Sequence, residues 1–336
     1  MKEHFIQALK QRIATPKKIV IIPHRNPDGD ALGSTLALKH FLNQMHHNVQ
    51  IVSPNDYPLF LKWLPGENEI LKYTQSPKEV RDHIRNAELI FTLDFNALER
   101  IEDLTEIVRN APAEKIMIDH HEAPENYAAL AYSDTSMSST CEMVYKVIKA
   151  LDENAFNKDI ANCLYTGIMT DTGSFRYAST TSETHRAIAH LIKEGANGTE
   201  IHQKIYDSSS FSRLKLLGIT LSNLEQIPNL PIVFMTLSQK ELESCDYKKG
   251  DTEGFVNYGL SLKGISFSCI MIENESEGKV KMSFRSQGDF SVNEFARTYF
   301  NGGGHHNAAG GMSTDSMEKT VTRFKQAIRE ISSQFV

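Results

Sequence analysis

Cysteine is scarce in this sequence. The four present, Cys141, Cys163, Cys245 and Cys269, lie far apart and form no Cys-x-x-Cys pair. This excludes a thiolate zinc site and a dense disulfide framework, and fits a reducing cytoplasm. Long apolar runs are missing too, since nothing approaches the roughly 18 consecutive residues that a membrane span requires. The segment Met1-Lys2-Glu3-His4-Phe5 carries charge without an apolar signal region behind it, so neither secretion nor membrane insertion is expected. The glycosylation-type triplets at Asn197 and Asn274 are accordingly read as chance matches. Positive charge is not in excess: 36 Lys and Arg stand against 42 Asp and Glu, for a net charge of −6. That excludes a strongly basic, charge-driven binder of long duplexes and leaves room for a local basic pocket.

What is present is an ordinary globular composition, 40% hydrophobic and 23% charged over 336 residues, which suggests two domains. Four short apolar runs rich in branched residues read as buried strands: residues 19–22, 49–52, 89–93 and 116–118. Between the first two, Leu32, Leu36, Leu38, Phe41, Leu42 and Met45 recur at helical spacing. Such alternation predicts a mostly parallel sheet with helices on both faces. Residues 137–192 are largely helical in pattern, broken at Thr170-Asp171-Thr172-Gly173, and a helical connector ends at Ile227-Pro228-Asn229-Leu230-Pro231. Strand-like runs follow at 232–237, 265–272 and 280–285, then an amphipathic helix carrying Met317, Val321, Phe324, Ile328 and Ile331 as a packing stripe. The expected architecture is therefore α/β over residues 1–190, a helical linker over 191–227, and a smaller α+β domain over 228–336.

The residues after the strands matter most. The first leads into His24-Arg25-Asn26-Pro27-Asp28-Gly29-Asp30, the third into Asp94, and the fourth into Asp119-His120-His121. Polar, titratable groups thus gather at the carboxyl ends of parallel strands, the edge where open α/β sheets bind ligands. Asp28-Gly29-Asp30 could open a calcium loop, but that loop needs oxygen ligands at positions that here hold Leu32 and Lys39. Imidazole mixed with carboxylate suits manganese, cobalt or zinc instead. Alternatives stand beside each reading: a helix cap for Asp28 or Asp30, a surface pair for His120 and His121, a turn for Asp94 or Asp171. Adjacent histidines project differently, so one can ligate a metal while its neighbour faces what the metal binds, and Asp119 can orient an imidazole. Two histidines and four aspartates, one of them shared, can hold two divalent cations that clamp both oxygens of a phosphoryl displacement.

In these motifs and their order the chain resembles the DHH phosphoesterase superfamily. Besides the three segments above, Thr170-Asp171-Thr172-Gly173 is similar to its fourth motif, and Gly302-Gly303-Gly304-His305-His306-Asn307-Ala308-Ala309-Gly310 to the glycine-rich motif of the associated DHHA1 domain. Size and arrangement look most like the bacterial group that trims very short oligoribonucleotides (nanoRNA) and removes the 3′-phosphate of 3′-phosphoadenosine 5′-phosphate. The resemblance implies one manganese on His24, Asp28 and Asp94, a second on Asp30, Asp94, His120 and Asp171, and His121 at the scissile phosphate. It also implies a hydroxide bridging the metals as nucleophile, an active site in the cleft between the domains, and a cytoplasmic enzyme for which a homodimer is an allowed assembly.

Gly302, Gly303 and Gly304 let backbone N–H groups approach a phosphate, with His305 and Arg285 as side-chain donors. No Gly-Lys-Ser/Thr follows, so this is not a Walker loop. Residues 228–336 hold 12 Lys and Arg against 13 Asp and Glu, which gives a long nucleic acid no track and favours substrates with one to a few phosphates. Phe255 and Tyr258 are candidates for base stacking; Phe255 is read first as a core residue, and for Tyr258 stacking and core packing stand equally. Rival functions are a linear or cyclic dinucleotide phosphodiesterase, a pyrophosphatase, a non-catalytic nucleotide sensor, and a structural metalloprotein.

Overall fold

Branched apolar runs, too short for helices, become the strands of a parallel sheet. The structure, a computed structural model, describes residues 2–207, 209–248 and 250–335. The chain divides into two compact units, residues 1–208 and 209–336. In order, the first contains α1 (Lys2–Arg12), β1 (Lys18–Pro23), α2 (Gly29–Gln44), β2 (Asn48–Ser53), β3 (Leu71–Lys72), α3 (Pro77–Asn86), β4 (Leu89–Leu93), α4 (Thr105–Arg109), β5 (Glu114–Asp119), β6 (Leu130–Ser133), α5 (Thr140–Leu151), α6 (Lys158–Asp171), α7 (Ser182–Lys193) and α8 (Gly198–Tyr206).

All six strands of this unit run parallel, in the order β3-β2-β1-β4-β5-β6. Successive side chains on a strand point to opposite faces, and both faces are covered. Ile19 and Ile21 pack with Phe5, Leu9, Leu36 and Phe41 on one side. Val20 and Ile22 pack with Val80, Ile84, Leu104 and Val108 on the other. This double coverage is why the strands read as unbroken apolar runs. The chain moves outward from β1 to β3 and then returns to the far side of β1 with β4. The strand order therefore reverses between β1 and β4, and ligands of such sheets bind outside the carboxyl ends at that reversal.

Three helices converge there. Asp28 caps α2, its Oδ1 accepting from the N–H groups of Asp30 and Ala31 at 3.0 Å each. A Cβ on Gly167 of α6 would lie 2.2 Å from Cys141 Sγ of α5 and 2.8 Å from Asp30 Oδ1 of α2. Only glycine lets the three helices approach so closely.

The second unit holds α9 (Phe211–Ser222), β7 (Glu225–Gln226), β8 (Ile232–Leu237), α10 (Gln239–Ser244), β9 (Phe267–Asn274), β10 (Lys279–Ser286), α11 (Val292–Tyr299), β11 (Gly303–His305), β12 (Ala308–Ser313) and α12 (Met317–Glu330). Its mixed sheet has the order β11-β12-β10-β9-β8-β7, with β8 and β9 parallel and the remaining pairs antiparallel. Phe234, Phe267, Phe284, Phe295, Phe300 and Phe324 form its aromatic core. Phe255 is wholly buried in a second cluster with Leu216 and Ile270, which removes it as a stacking ring, while Tyr258 is exposed. Where a helical linker over 191–227 is expected, the segment is shared between the units. Ile201 and Ile205 of α8 pack in the core of the first, and Leu216 of α9 packs in the second.

Candidate metal centre

The carboxyl edge of the parallel sheet gathers six of the expected residues. His24 follows β1, Asp94 follows β4, His120 follows β5, Asp30 lies in the first turn of α2, and Asp171 ends α6. Asp28, the α2 cap, directs its second oxygen towards His24, with Oδ2 3.9 Å from Nε2. The cap thus occupies one oxygen of this carboxylate, and the other stays turned to His24. One ligand atom each of His24, Asp28 and Asp94 lie within 4.8 Å of one another, and the same holds for Asp30, His120 and Asp171 and for Asp94, Asp119 and His121.

The imidazoles are aimed by what holds their other nitrogen. His24 Nδ1 lies 2.8 Å from the Arg25 carbonyl and His120 Nδ1 3.3 Å from the Met137 carbonyl. A carbonyl only accepts, so each Nδ1 carries the proton and each Nε2 is left as a donor atom for a cation. His24 Nε2 is 3.4 Å from Asp94 Oδ2. His120 Nε2 is 3.5 Å from Asp94 Oδ1, 3.4 Å from Asp171 Oδ2 and 3.9 Å from Asp30 Oδ2. Asp94 therefore faces one histidine with each oxygen. Its backbone has φ 67°, a left-handed conformation that is strained for most residues with a Cβ and less so for Asp.

His121 is held differently. Its ring is turned 77° from that of His120, and Nδ1 donates to Asp119 Oδ1 at 2.7 Å while the His121 N–H donates to Asp119 Oδ2 at 3.1 Å. Asp119 is fully buried, and both its oxygens are spent on the residue it orients.

The electrostatics of the cluster are set by burial and by its crowded carboxylates. Burial raises the Asp30 carboxyl well above its usual range, and the negative charges of Asp94 and Asp171 raise it further. Burial likewise pushes Asp171 up to about 6, although His120 pulls it down. Burial alone would raise Asp94, but hydrogen bonds with His120 and His24 outweigh it and hold that carboxyl well below the usual value. His120 is raised well above its ordinary value, its burial being outweighed by Asp94, Asp171 and Asp30. Four carboxylates crowd two imidazoles, a charge pattern that divalent cations would neutralise. The donors are oxygen and nitrogen without thiolate, which fits manganese-type ions.

Sequence reasoning missed the floor of this site. The N–H groups of Thr140 and Cys141, at the start of α5, donate to Asp30 Oδ2 and Oδ1 at 2.7 and 2.8 Å, and Thr140 Oγ1 donates to Asp94 Oδ1 at 2.9 Å. The run Ser138-Ser139-Thr140 signals a helix start, as Ser139 indeed caps α5, but nothing local says that this start meets Asp30, 110 positions earlier. A cavity of about 740 Å³ over the amino ends of β1 and β2 is lined by none of the residues gathered here.

In the second unit, register does the placing. Arg285 pairs with Ala308, and Ala308 with His305, so all three side chains share one face of the sheet with the smallest in the middle. The triple glycine has a packing reason: a Cβ on Gly302 would meet the Gly310 carbonyl oxygen at 1.9 Å. The N–H groups expected to cradle phosphate are partly committed, Gly302 donating to the Ala296 carbonyl at 3.1 Å and Gly304 to Asn293 Oδ1 at 3.0 Å. Gly303 takes part in the ladder, opposite Gly310.

Residues 18–168 match the DHH family, N-terminal domain, and residues 217–334 match the DHHA1 domain. The chain is 30% identical over 315 residues to the bifunctional oligoribonuclease and PAP phosphatase NrnA of Thermus thermophilus, covering 93% of this chain and 89% of that protein. The chain belongs to the DHH family. It is a metal-dependent phosphoesterase, with a DHH domain followed by a DHHA1 domain. The solved structure of an exopolyphosphatase-related protein from Bacteroides fragilis superposes with a TM-score of 0.95 at 40% identity, covering 99% of this chain and 97% of that one. The cyclic-di-AMP phosphodiesterase GdpP of Bacillus subtilis is 26% identical over 96% of this chain but only 49% of that protein. Among the described residues no helix is long and apolar enough to cross a membrane.

Proposed function

We propose that this DHH enzyme hydrolyses short oligoribonucleotides and the 3′-phosphate of 3′-phosphoadenosine 5′-phosphate, using two divalent cations, manganese by preference. The observation that supports the reading is Asp94, whose Oδ2 faces His24 at 3.4 Å and whose Oδ1 faces His120 at 3.5 Å. His24, Asp28 and Asp94 would hold one cation; Asp30, Asp94, His120 and Asp171 would hold the other. Bound there, such a pair supplies Lewis acidity to the phosphoryl oxygens and a more acidic water for attack on phosphorus. The protein's own part is to fix the donors and to handle the proton. His121, with its Nδ1 anchored on Asp119, faces the phosphoryl group with its other edge, stabilises the charge that builds there and gives a proton to the leaving oxygen as the P–O bond breaks.

Substrate length follows from charge and from the named activities of the NrnA relatives. The second unit offers Arg285 and His305 on one sheet face for a non-reacting phosphate, and no basic track for a long strand. The second reading, a dinucleotide phosphodiesterase, is supported by the likeness to GdpP. One assay decides between them: purified protein with manganese, offered RNA 2–5-mers, long RNA, the bisphosphate nucleotide, a cyclic dinucleotide and pyrophosphate in parallel. The proposal expects turnover of the 2–5-mers and the bisphosphate nucleotide far above the rest. A clear preference for the cyclic dinucleotide would replace it with the second reading.

A further inference from the structure

A carboxylate shared by two cations must keep its oxygens pointed two ways. The last torsion of an aspartate is soft, with a broad distribution about its Cβ–Cγ bond, so something outside Asp94 has to set its plane. Asp94 is buried, and its Oδ1, the oxygen facing His120, receives the Thr140 hydroxyl at 2.9 Å. The same threonine gives its N–H to Asp30 Oδ2 at 2.7 Å. One residue thus holds two of the carboxylates that surround His120. Thr140 is itself fixed. It is fully buried at the first position of α5, directly after the cap Ser139, whose Oγ accepts from the Glu142 N–H at 3.0 Å. Glu142 in turn accepts from Ser138 Oγ at 2.6 Å and Thr184 Oγ1 at 2.9 Å, and pairs with Lys146 at 2.6 Å. The start of α5 is a braced post, and the hydroxyl at its tip reaches the metal-facing carboxylate.

We propose that Thr140 is a positioning residue for the cation on the His120 side. Its hydroxyl fixes the Asp94 plane so that Oδ1 serves the group of Asp30, His120 and Asp171 while Oδ2 serves His24 and Asp28. The inference rests on the reading of Asp94 as a shared ligand. A hydroxyl that merely satisfies a buried polar atom would contribute to folding and leave metal binding alone, so the two roles separate cleanly.

The test uses manganese alone as the probe, with binding followed by calorimetry and by the electron paramagnetic resonance of the bound ions. Thr140→Val keeps the shape and removes the donor. Partners behind metal ligands typically contribute about 10–100-fold in affinity, and we expect that loss for one of the two manganese ions, with the other unchanged. The spin-coupled signal of a manganese pair should vanish at metal concentrations that saturate the wild type. Thr140→Ser should restore both. Thr140→Ala, carrying the same expectation, serves if the valine variant does not fold. Two ions bound equally by wild type and variant, with or without a lower melting temperature, would overturn the positioning role. A wild type that binds no manganese pair would instead overturn the metal assignment beneath it.

Discussion

In the first unit the candidate residues meet end-on: His24, Asp94 and the Asp119-His120-His121 run leave neighbouring parallel strands at one edge. In the second, Arg285 and His305 meet side-on, set on one face by cross-strand register with Ala308 between them. End-on convergence can recruit many segments to a single point, and here it recruits β1, β4, β5, α2, α5 and α6 into a buried, mutually charged cluster. Side-on placement recruits only what the ladder aligns and leaves Arg285 and His305 half-buried. The first arrangement suits chemistry that needs strained carboxylates and fixed imidazoles. The second suits a contact with a part of the ligand that does not react.

The hardest test of this contrast is Asp94→Ala. If two cations share Asp94, removing its carboxylate should take turnover to background while circular dichroism and melting stay near wild type. Near-normal activity would end the shared-ligand reading. Next in size is the histidine pair. His121→Ala should keep both metals and lose roughly 10²–10⁴ in rate, the usual cost of an acid–base group or charge stabiliser. His120→Ala should lose metal. Metal analysis beside single-turnover rates separates the two, and metal lost from the His121 variant alone would invert the assignment.

Arg285→Ala should act more weakly and differently. A charge-assisted hydrogen bond is worth about 1.5–3 kcal/mol, so KM for di- to pentanucleotides should rise at least about tenfold with kcat little changed. A small generic phosphodiester should be almost unaffected. Equal losses on both substrates would move Arg285 to the reacting phosphate and erase the contrast between the units. The smallest expected effect concerns protons. Asp171, pushed up to about 6, and His120, raised well above its ordinary value, each take up a proton in the metal-free protein as the pH falls, and a cation bound there must displace it. Manganese affinity should therefore fall as pH drops through about 6, with more protons released per ion at the lower pH, as calorimetry in buffers of different ionisation heat would show. Affinity constant across that range would mean that neither group is a ligand.

Much of the first unit was legible because its signals are local. A strand buried on both faces must be apolar throughout, so residues 19–22 and 89–93 declare themselves, and the polar residue that ends each is conspicuous. The two-residue β3 and the exposed β7 carry no such pattern. Thr140 was invisible for another reason: its function comes from a tertiary meeting with Asp30 and Asp94, and its local signal is only that of a helix start. The triple glycine carried a genuine signal of close approach, but what approaches Gly302 is the Gly310 carbonyl. A sequence shows that room is needed without showing for what. Phe255 illustrates the converse: an aromatic residue whose expected core role is met, between α9 and the strands β8 and β9.

The hydrogen bonds that tune His24 and His120 end on main-chain carbonyls, those of Arg25 and Met137. Such an acceptor belongs to the peptide bond and not to a side chain. Substitution at position 25 or 137 changes what projects from the chain and leaves the acceptor where it was. The placement of the proton on both imidazoles is thus carried by the path of the backbone, out of reach of ordinary point mutation. Only a change that bends the loop after β1 or the turn before α5 would unsettle those tautomers.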